Sequence, residues 1–201
     1  MAVLGTFAAL AQPAGAAEHT IMLYGDSLLA GLGLSTADSF MGQMQAAMDT
    51  AGLDTELVNA SVSGDTTATG LQRLDWTLAD APDAVILGLG ANDMLTGLPA
   101  DGVRTNLDAI MTKLDALHLP VLVLGMMANR GLGADYVSAF DGIYPDLAAR
   151  HGALLYPFYL DGVALDPALN QSDLRHPNAK GVAVIVARLL PFVEKLVHEL
   201  D

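Results

Sequence analysis

The sequence of 201 residues contains no cysteine and few basic residues. Without cysteine the chain has no disulfide, no thiolate metal site and no cysteine nucleophile. Nine Lys and Arg stand against 23 Asp and Glu, for a formal net charge of −14, so the basic surface of a protein that binds nucleic acid or anionic membranes is missing. Charged residues make up 16% of the chain and hydrophobic residues 52%, a composition that excludes intrinsic disorder and predicts one folded domain.

The amino-terminal segment also lacks positive charge, because no Lys or Arg precedes Arg73. A complete signal peptide needs such a charge at its start. Residues 3–11 are nevertheless apolar or small, and residues 13–17 resemble the small-residue site at which export signals are cleaved. We interpret residues 1–17 as a signal-peptide remnant and predict a periplasmic or secreted protein, with an ordinary amino-terminal helix as the alternative. No apolar run reaches the roughly 18–20 residues of a membrane span, so we expect no stable membrane insertion.

Beyond residue 19 the chain alternates short, apolar, β-rich runs with longer helical patterns, which predicts βα units feeding a parallel sheet. The predicted strands are residues 20–24, 55–60, 84–89, 121–126 and 153–156. The predicted helices are residues 40–51, 66–78, 103–117, 134–150 and 180–200. These elements predict an α/β fold, a three-layer α/β/α sandwich with a five-stranded parallel sheet, formed by residues 18–201 as a single domain.

The loops after the strands carry the unusual residues. Right-handed crossovers bring the carboxyl ends of parallel strands to one edge, where such sheets bind ligands. Gly25-Asp26-Ser27 follows the first strand, and a Ser on a sharp turn there can project its hydroxyl into the crevice. Gly64 follows the second strand and allows close backbone approach, while Asn92 follows the third and offers an amide donor. Taken alone, each segment is equally typical of turns and helix caps.

A candidate acid–base pair lies near the carboxyl end, in Asp173-Leu174-Arg175-His176-Pro177. A histidine general base needs an acid that fixes its tautomer, and Asp173 stands three residues before His176. The alternative is a helix-entry segment, in which Pro177 is an early helical residue.

The four segments together resemble a known superfamily. Gly25-Asp26-Ser27, Gly64, Gly90-x-Asn92-Asp93 and Asp173-x-x-His176 are similar, in order and spacing, to the blocks of the SGNH hydrolases, also called the GDSL esterases. The resemblance spans residues 20–200 and is closest to the bacterial periplasmic thioesterase, arylesterase and lysophospholipase group. That group's segments are also similar to Ile143-Tyr144-Pro145, Tyr156-Pro157-Phe158 and His176-Pro177-Asn178.

The resemblance implies a flavodoxin-like SGNH hydrolase fold and a serine esterase without cofactor or metal. In that family's arrangement Ser27 is the nucleophile, His176 the general base and Asp173 its orienting acid. The backbone amides of Ser27 and Gly64 and the side chain of Asn92 form the oxyanion hole. The implied substrates are small-molecule carboxylic esters, with aryl or short- to medium-chain acyl groups, hydrolysed through an acyl-enzyme. Acyl thioesters and lysophospholipids are further candidate substrates.

The segment departs from the family pattern at Leu174 and Arg175, where the family usually has Gly and a small apolar residue. Arg175 would either bias substrate charge and shift the base, or point to solvent. We therefore expect Leu174 and Arg175 to adjust the level of activity and to leave the catalytic residues intact.

Flexible apolar side chains follow the third and fourth predicted strands and suggest an acyl groove. These residues are Met94, Leu95, Met126, Met127 and Leu132. Gly131 and Gly133 flank Leu132 and would let that loop move over a bound acyl chain. The alternative is that these side chains complete the core beneath the loops.

Two other functions fit the predicted sheet. A carbohydrate O-deacetylase would need polar and aromatic residues that stack on sugars, and the single tryptophan, Trp76, falls in a predicted helix. A flavodoxin-like binding module for a phosphorylated ligand would need a Gly-rich phosphate loop, and the sequence has none with a Lys. Metal-dependent hydrolysis is disfavoured because no His pair or carboxylate cluster has ligand spacing.

Overall fold

A computed structural model describes residues 17–200 of the chain. The predicted signal-peptide remnant, residues 1–17, lies outside this part except for its last residue, so export stays a prediction. Within residues 17–200, no helix combines the length and the apolar character needed to cross a membrane.

Five parallel strands form the centre of the molecule, as predicted. They are β1 (His19–Gly25), β2 (Thr55–Asn59), β3 (Ala84–Gly88), β4 (Val121–Leu124) and β5 (Leu154–Tyr156). Their order in the sheet is β2-β1-β3-β4-β5, the flavodoxin-like order, which reverses direction between β1 and β3. A ligand crevice is therefore expected outside the carboxyl ends of these two strands.

Helices cover both faces of the sheet and complete the predicted three-layer sandwich. They are α1 (Ser27–Ala30), α2 (Phe40–Ala51), α3 (Thr67–Thr77), α4 (Ala91–Leu95), α5 (Ala100–Ala116), α6 (Ala134–Asp141), α7 (Ile143–His151) and α8 (Ala179–His198). Helices α2 and α8 pack together on one face, and α3, α5 and α7 pack side by side on the other. The central strands are buried from both sides, which explains their nearly continuous apolar sequences.

The predicted helix over residues 134–150 is two helices, α6 and α7, which meet at Gly142. Pro145 causes the interruption, because its ring has no N–H to donate and clashes with the carbonyl four residues earlier. Two helices of four and five residues, α1 and α4, are too short to show a helical period in the sequence. Both follow a strand directly and begin at the sheet edge where the site is predicted.

Strands β1 and β3 approach each other closely at a pair of glycines. Gly25 and Gly88 are register partners, and a Cβ built on Gly25 would lie 2.5 Å from the Gly88 carbonyl oxygen. The side chain of Leu29, in α1, fills the space above the pair and would lie 2.7 Å from the same Cβ. The absent side chains thus let α1 sit directly on the sheet.

We expect Gly25→Ala to lower the free energy of unfolding by at least about 2 kcal/mol, because the new Cβ meets a backbone oxygen that cannot move aside. Gly102→Ala in α5 is the matched control: its Cβ meets nothing within 4 Å, and we expect a gain of about 0.5 kcal/mol. Urea unfolding of both variants measures the difference. Equal effects of the two substitutions would contradict this account of the glycine pair.

Candidate active site

Ser27 is the first residue of α1 and stands at the carboxyl end of β1. Asp26 caps this helix, because its Oδ1 accepts a hydrogen bond of 3.0 Å from the backbone N–H of Leu28. Gly31 ends the helix in the left-handed conformation, with φ 77°. Buried Leu29 anchors the short helix, so the half-buried Ser27 side chain is held at the mouth of the crevice.

His176 reaches this serine from the far end of the chain. Its Nε2 lies 2.8 Å from Ser27 Oγ, and its Nδ1 lies 2.5 Å from Asp173 Oδ2. The same carboxylate accepts the backbone N–H groups of Arg175 and His176 through Oδ1, at 2.9 and 3.0 Å. The structure thus brings together Ser27, His176 and Asp173 in one hydrogen-bonded chain.

The hydrogen bonds to Asp173 fix its protonation state. Those from His176 and from the backbone of Arg175 and His176 hold the pKa of Asp173 well below its usual range. An ionised Asp173 accepts the Nδ1 proton of a neutral imidazole, which leaves the Nε2 lone pair facing Ser27 Oγ. This is the tautomer that a general base requires.

Leu174 adopts the left-handed backbone conformation, with φ 58°, in the turn that holds Asp173 and His176. A residue with a Cβ is strained there by about 1–2 kcal/mol, whereas glycine is not. The structure therefore explains why glycine suits this position and shows that Leu174 adds conformational strain to the turn.

Gly64 lies on the loop after β2, and Asn92 is the second residue of α4, which follows β3; both line the same groove as Ser27. Gly64 has φ 90°, a conformation that glycine adopts readily. Asn92 Nδ2 donates to the Asp65 carbonyl oxygen at 2.9 Å and makes a longer contact of 3.4 Å with Asp26 Oδ2. The hydrogen bond to Asp65 orients the amide and ties the loop after β2 to α4.

Arg73 of α3 holds the loop that carries Gly64, a role the sequence reasoning missed. Its Nε lies 2.5 Å from Asp65 Oδ2 and its Nη1 lies 2.6 Å from the Ala60 carbonyl oxygen. The guanidinium also stacks 4.1 Å above the ring centre of Tyr24 in β1. Nothing in the local sequence signals this role, because it arises only when the loop after β2 and strand β1 are brought together around the guanidinium.

Two buried side chains hold the turn after β3. Tyr144 donates its hydroxyl proton to the Leu89 carbonyl oxygen at 3.0 Å. Asp93 accepts the backbone N–H of Thr67 at 2.8 Å and the Thr67 hydroxyl proton at 2.6 Å, which joins α4 to the start of α3. Asn92 therefore projects from a turn fixed on both sides.

A groove of about 760 Å³ opens over Ser27 and His176. Of the side chains predicted to form an acyl groove, Met94, Leu95, Met126 and Met127 line it, whereas Leu132 does not. Its lining also contains apolar residues that the sequence did not predict. They come from α1 and the loop after it, from the segment after β5, and from the turn before His176: Leu28, Leu32, Phe158, Leu160, Leu165 and Leu174. The groove is thus largely apolar.

Comparisons with known proteins show the family to which the chain belongs. The model of the GDSL-like lipase/acylhydrolase family matches residues 23–184. The protein named Esterase TesA, from Pseudomonas aeruginosa, is 35% identical over 182 residues, 90% of each chain. Thioesterase 1/protease 1/lysophospholipase L1 from Escherichia coli is 32% identical over 184 residues, 91% of this chain and 87% of that protein. The crystal structure of AlinE4, an SGNH-hydrolase family esterase, is 42% identical with a TM-score of 0.75 and covers 88% of this chain and 95% of its own.

Asp26 makes stability depend on pH. Burial raises the pKa of its carboxyl from 3.8 to about 6, although the Leu28 hydrogen bond opposes the shift. The folded state therefore binds the proton more tightly than the unfolded state, and this contribution to stability, full below pH 3.8, is lost as the pH rises through about 6.

We expect Asp26→Asn, which stays neutral and keeps the Oδ1 acceptor, to remove this loss. Relative to wild type, its free energy of unfolding should rise by about 2–3 kcal/mol between pH 4 and pH 7. Urea unfolding at both pH values measures the change, with Glu56→Gln, an exposed carboxylate on β2, as the control. The same pH dependence in Asp26→Asn and wild type would rule out Asp26 as the cause.

Proposed function

We propose a catalytic assignment for this chain, which belongs to the GDSL-like lipase/acylhydrolase family and is a serine esterase: Ser27 is its nucleophile, His176 its general base and Asp173 its orienting acid. The observation that carries the assignment is the continuous hydrogen-bonded chain from Ser27 Oγ through both ring nitrogens of His176 to Asp173. Because the chain belongs to a family of acylhydrolases, it is not the non-catalytic binding module considered above.

The first half of the reaction acylates the enzyme. His176 Nε2 takes the Ser27 hydroxyl proton while Oγ attacks the ester carbonyl carbon, and the carbonyl π electrons move onto oxygen. When the tetrahedral intermediate collapses, the bond to the alcohol breaks and the imidazolium returns the proton to the departing oxygen. Asp173 stays ionised throughout and stabilises the positive charge on the ring.

The oxyanion of each intermediate is stabilised by the backbone N–H groups of Ser27 and Gly64 and by Asn92 Nδ2. The N–H of Ser27 lies at the first position of α1, where helical N–H groups have no carbonyl partner within the helix. Water, deprotonated by His176, then attacks the acyl-enzyme, and Ser27 leaves with the proton. Loss of one oxyanion donor typically lowers kcat about a hundredfold or more.

The substrates we propose are aryl and short- to medium-chain acyl esters, with acyl thioesters and lysophospholipids as further candidates. The apolar lining of the groove supports an acyl group as the part that is bound. A carbohydrate O-deacetylase is the weaker candidate, because its substrate would place hydroxyl groups against mostly apolar side chains.

The test of this assignment is hydrolysis of a series of 4-nitrophenyl esters. We expect Ser27→Ala to lower kcat/KM by at least about a thousandfold, because no other group in the proposed mechanism attacks the carbonyl carbon. Ser138→Ala, an exposed serine on α6 outside the groove, is the matched control and should retain wild-type activity. A Ser27→Ala enzyme with more than about a tenth of wild-type activity would overturn the assignment.

The groove generates a second prediction, on chain length. Met127 and Leu132 are each 43% exposed, but only Met127 lines the groove. In the wild type, each methylene added to the acyl chain of the ester should raise kcat/KM by up to about fourfold if it is buried against apolar surface. We expect Met127→Ala to reduce this gain. Leu132→Ala should leave that gain unchanged, and equal effects of the two substitutions would place the acyl group elsewhere.

A further inference from the structure

Basic side chains outnumber acidic ones in the lining of the groove, in contrast to the chain as a whole. The sequence has 14 more acidic than basic residues. The side chains that line the groove include two arginines, Arg130 and Arg175, and a single acid, Asp26, whose side chain is almost completely buried. The Asp173 carboxylate nearby is already bound to His176 and to two backbone N–H groups.

Arg175 differs from the other arginines of residues 17–200 in having no ion-pair partner there. The other five each pair with an aspartate: Arg73 with Asp65, Arg104 with Asp146, Arg130 with Asp141, Arg150 with Asp108, and Arg188 with Asp161. Within residues 17–200, Arg175 is thus the arginine without a carboxylate partner, and it directly precedes the candidate general base in the sequence. A guanidinium offers five donors in a planar fork that matches carboxylate and phosphate oxygens.

The backbone of Arg175 is held in place although its side chain is exposed. Its N–H donates to Asp173 Oδ1 at 2.9 Å, in the same turn that holds His176. Leu174, in its left-handed conformation, precedes it in this turn. The side chain therefore starts from a fixed backbone position next to His176, and Arg175 is among the residues that line the groove.

We propose that Arg175 is a specificity-determining residue that binds an anionic group, a carboxylate or a phosphate, on the alcohol part of the ester. This inference rests on the proposed function, in which His176 returns a proton to the departing alcohol. Arg175 lines the groove and directly precedes His176, the residue from which the departing alcohol receives its proton, so its guanidinium can reach the alcohol part of the ester. The apolar remainder of the groove then holds the acyl part.

The experiment compares matched pairs of esters by kcat/KM. The first pair places a carboxylate on the alcohol part: the butanoate esters of 3-hydroxy-4-nitrobenzoate and of 2-nitrophenol. The second pair places it on the acyl part: 4-nitrophenyl hemiglutarate and 4-nitrophenyl pentanoate. A third pair, butanoyl glycerol phosphate and butanoyl glycerol, tests phosphate in place of carboxylate.

We expect Arg175→Gln to lower the anionic-to-neutral ratio of the first pair about fivefold, the size of an exposed charge pair. Arg175→Lys, which keeps the charge without the planar fork, should lower it less, and Arg175→Glu should lower it further. Arg150→Gln changes the net charge equally but lies outside the groove, so its ratio should match that of wild type. An equal drop in the anionic-to-neutral ratio of the third pair would show that the same guanidinium also binds phosphate. A drop in the first pair alone would assign a carboxylate as the bound group.

Two results would overturn the inference: an unchanged ratio in Arg175→Gln for both the first and third pairs, or a change confined to the second pair. Both leave the proposed function intact, provided that hydrolysis of the neutral esters still depends on Ser27. Hydrolysis that persists in Ser27→Ala would instead remove the proposed function itself.

Discussion

The close contact between β1 and β3 at Gly25 and Gly88 is the constraint on which the site depends. The order of the strands reverses at this point, so the crevice opens here. The two missing side chains leave room for Leu29, and with it the whole of α1, to rest on the sheet. Ser27 begins that helix, so its position follows from a backbone contact two residues earlier.

The surrounding loops are fixed by polar groups that are satisfied inside the protein. Arg73 neutralises Asp65 and bonds to the carbonyl oxygen of Ala60, so the loop with Gly64 is tied to α3 and to the sheet. Tyr144 fixes the turn that leads to Asn92. The charge on Arg73 is held by a carboxylate and carbonyl oxygens together, which offsets the cost of removing it from water. The proposed oxyanion donors, held in this way, need no rearrangement when charge develops.

The alternation of apolar runs and helical patterns predicted all five strands and the layer arrangement, because the central parallel strands are buried on both faces. It did not predict the break at Gly142, where Pro145 interrupts a continuous apolar period. The order of four short segments predicted which residues meet at the sheet edge, since parallel strands converge there. It could not predict Arg73 or Tyr144 as supports, because Arg73 joins the loop after β2 to Tyr24 of β1 and Tyr144 bonds to the distant Leu89, contacts that no local pattern shows. For the same reason the sequence did not show that Leu132 lies outside the groove while Leu165 and Leu174 line it.

Ser27 and His176 are 149 residues apart, one near each end of the domain. The turn that carries His176 leads directly into α8, whose first turn is capped by Asn178, and α8 packs against α2 from the early part of the chain. During synthesis Ser27 is therefore made long before His176, and the two side chains can meet only after both segments have been made. On the proposed assignment, reactivity towards esters therefore requires that segments from both ends of the domain have been made and brought together.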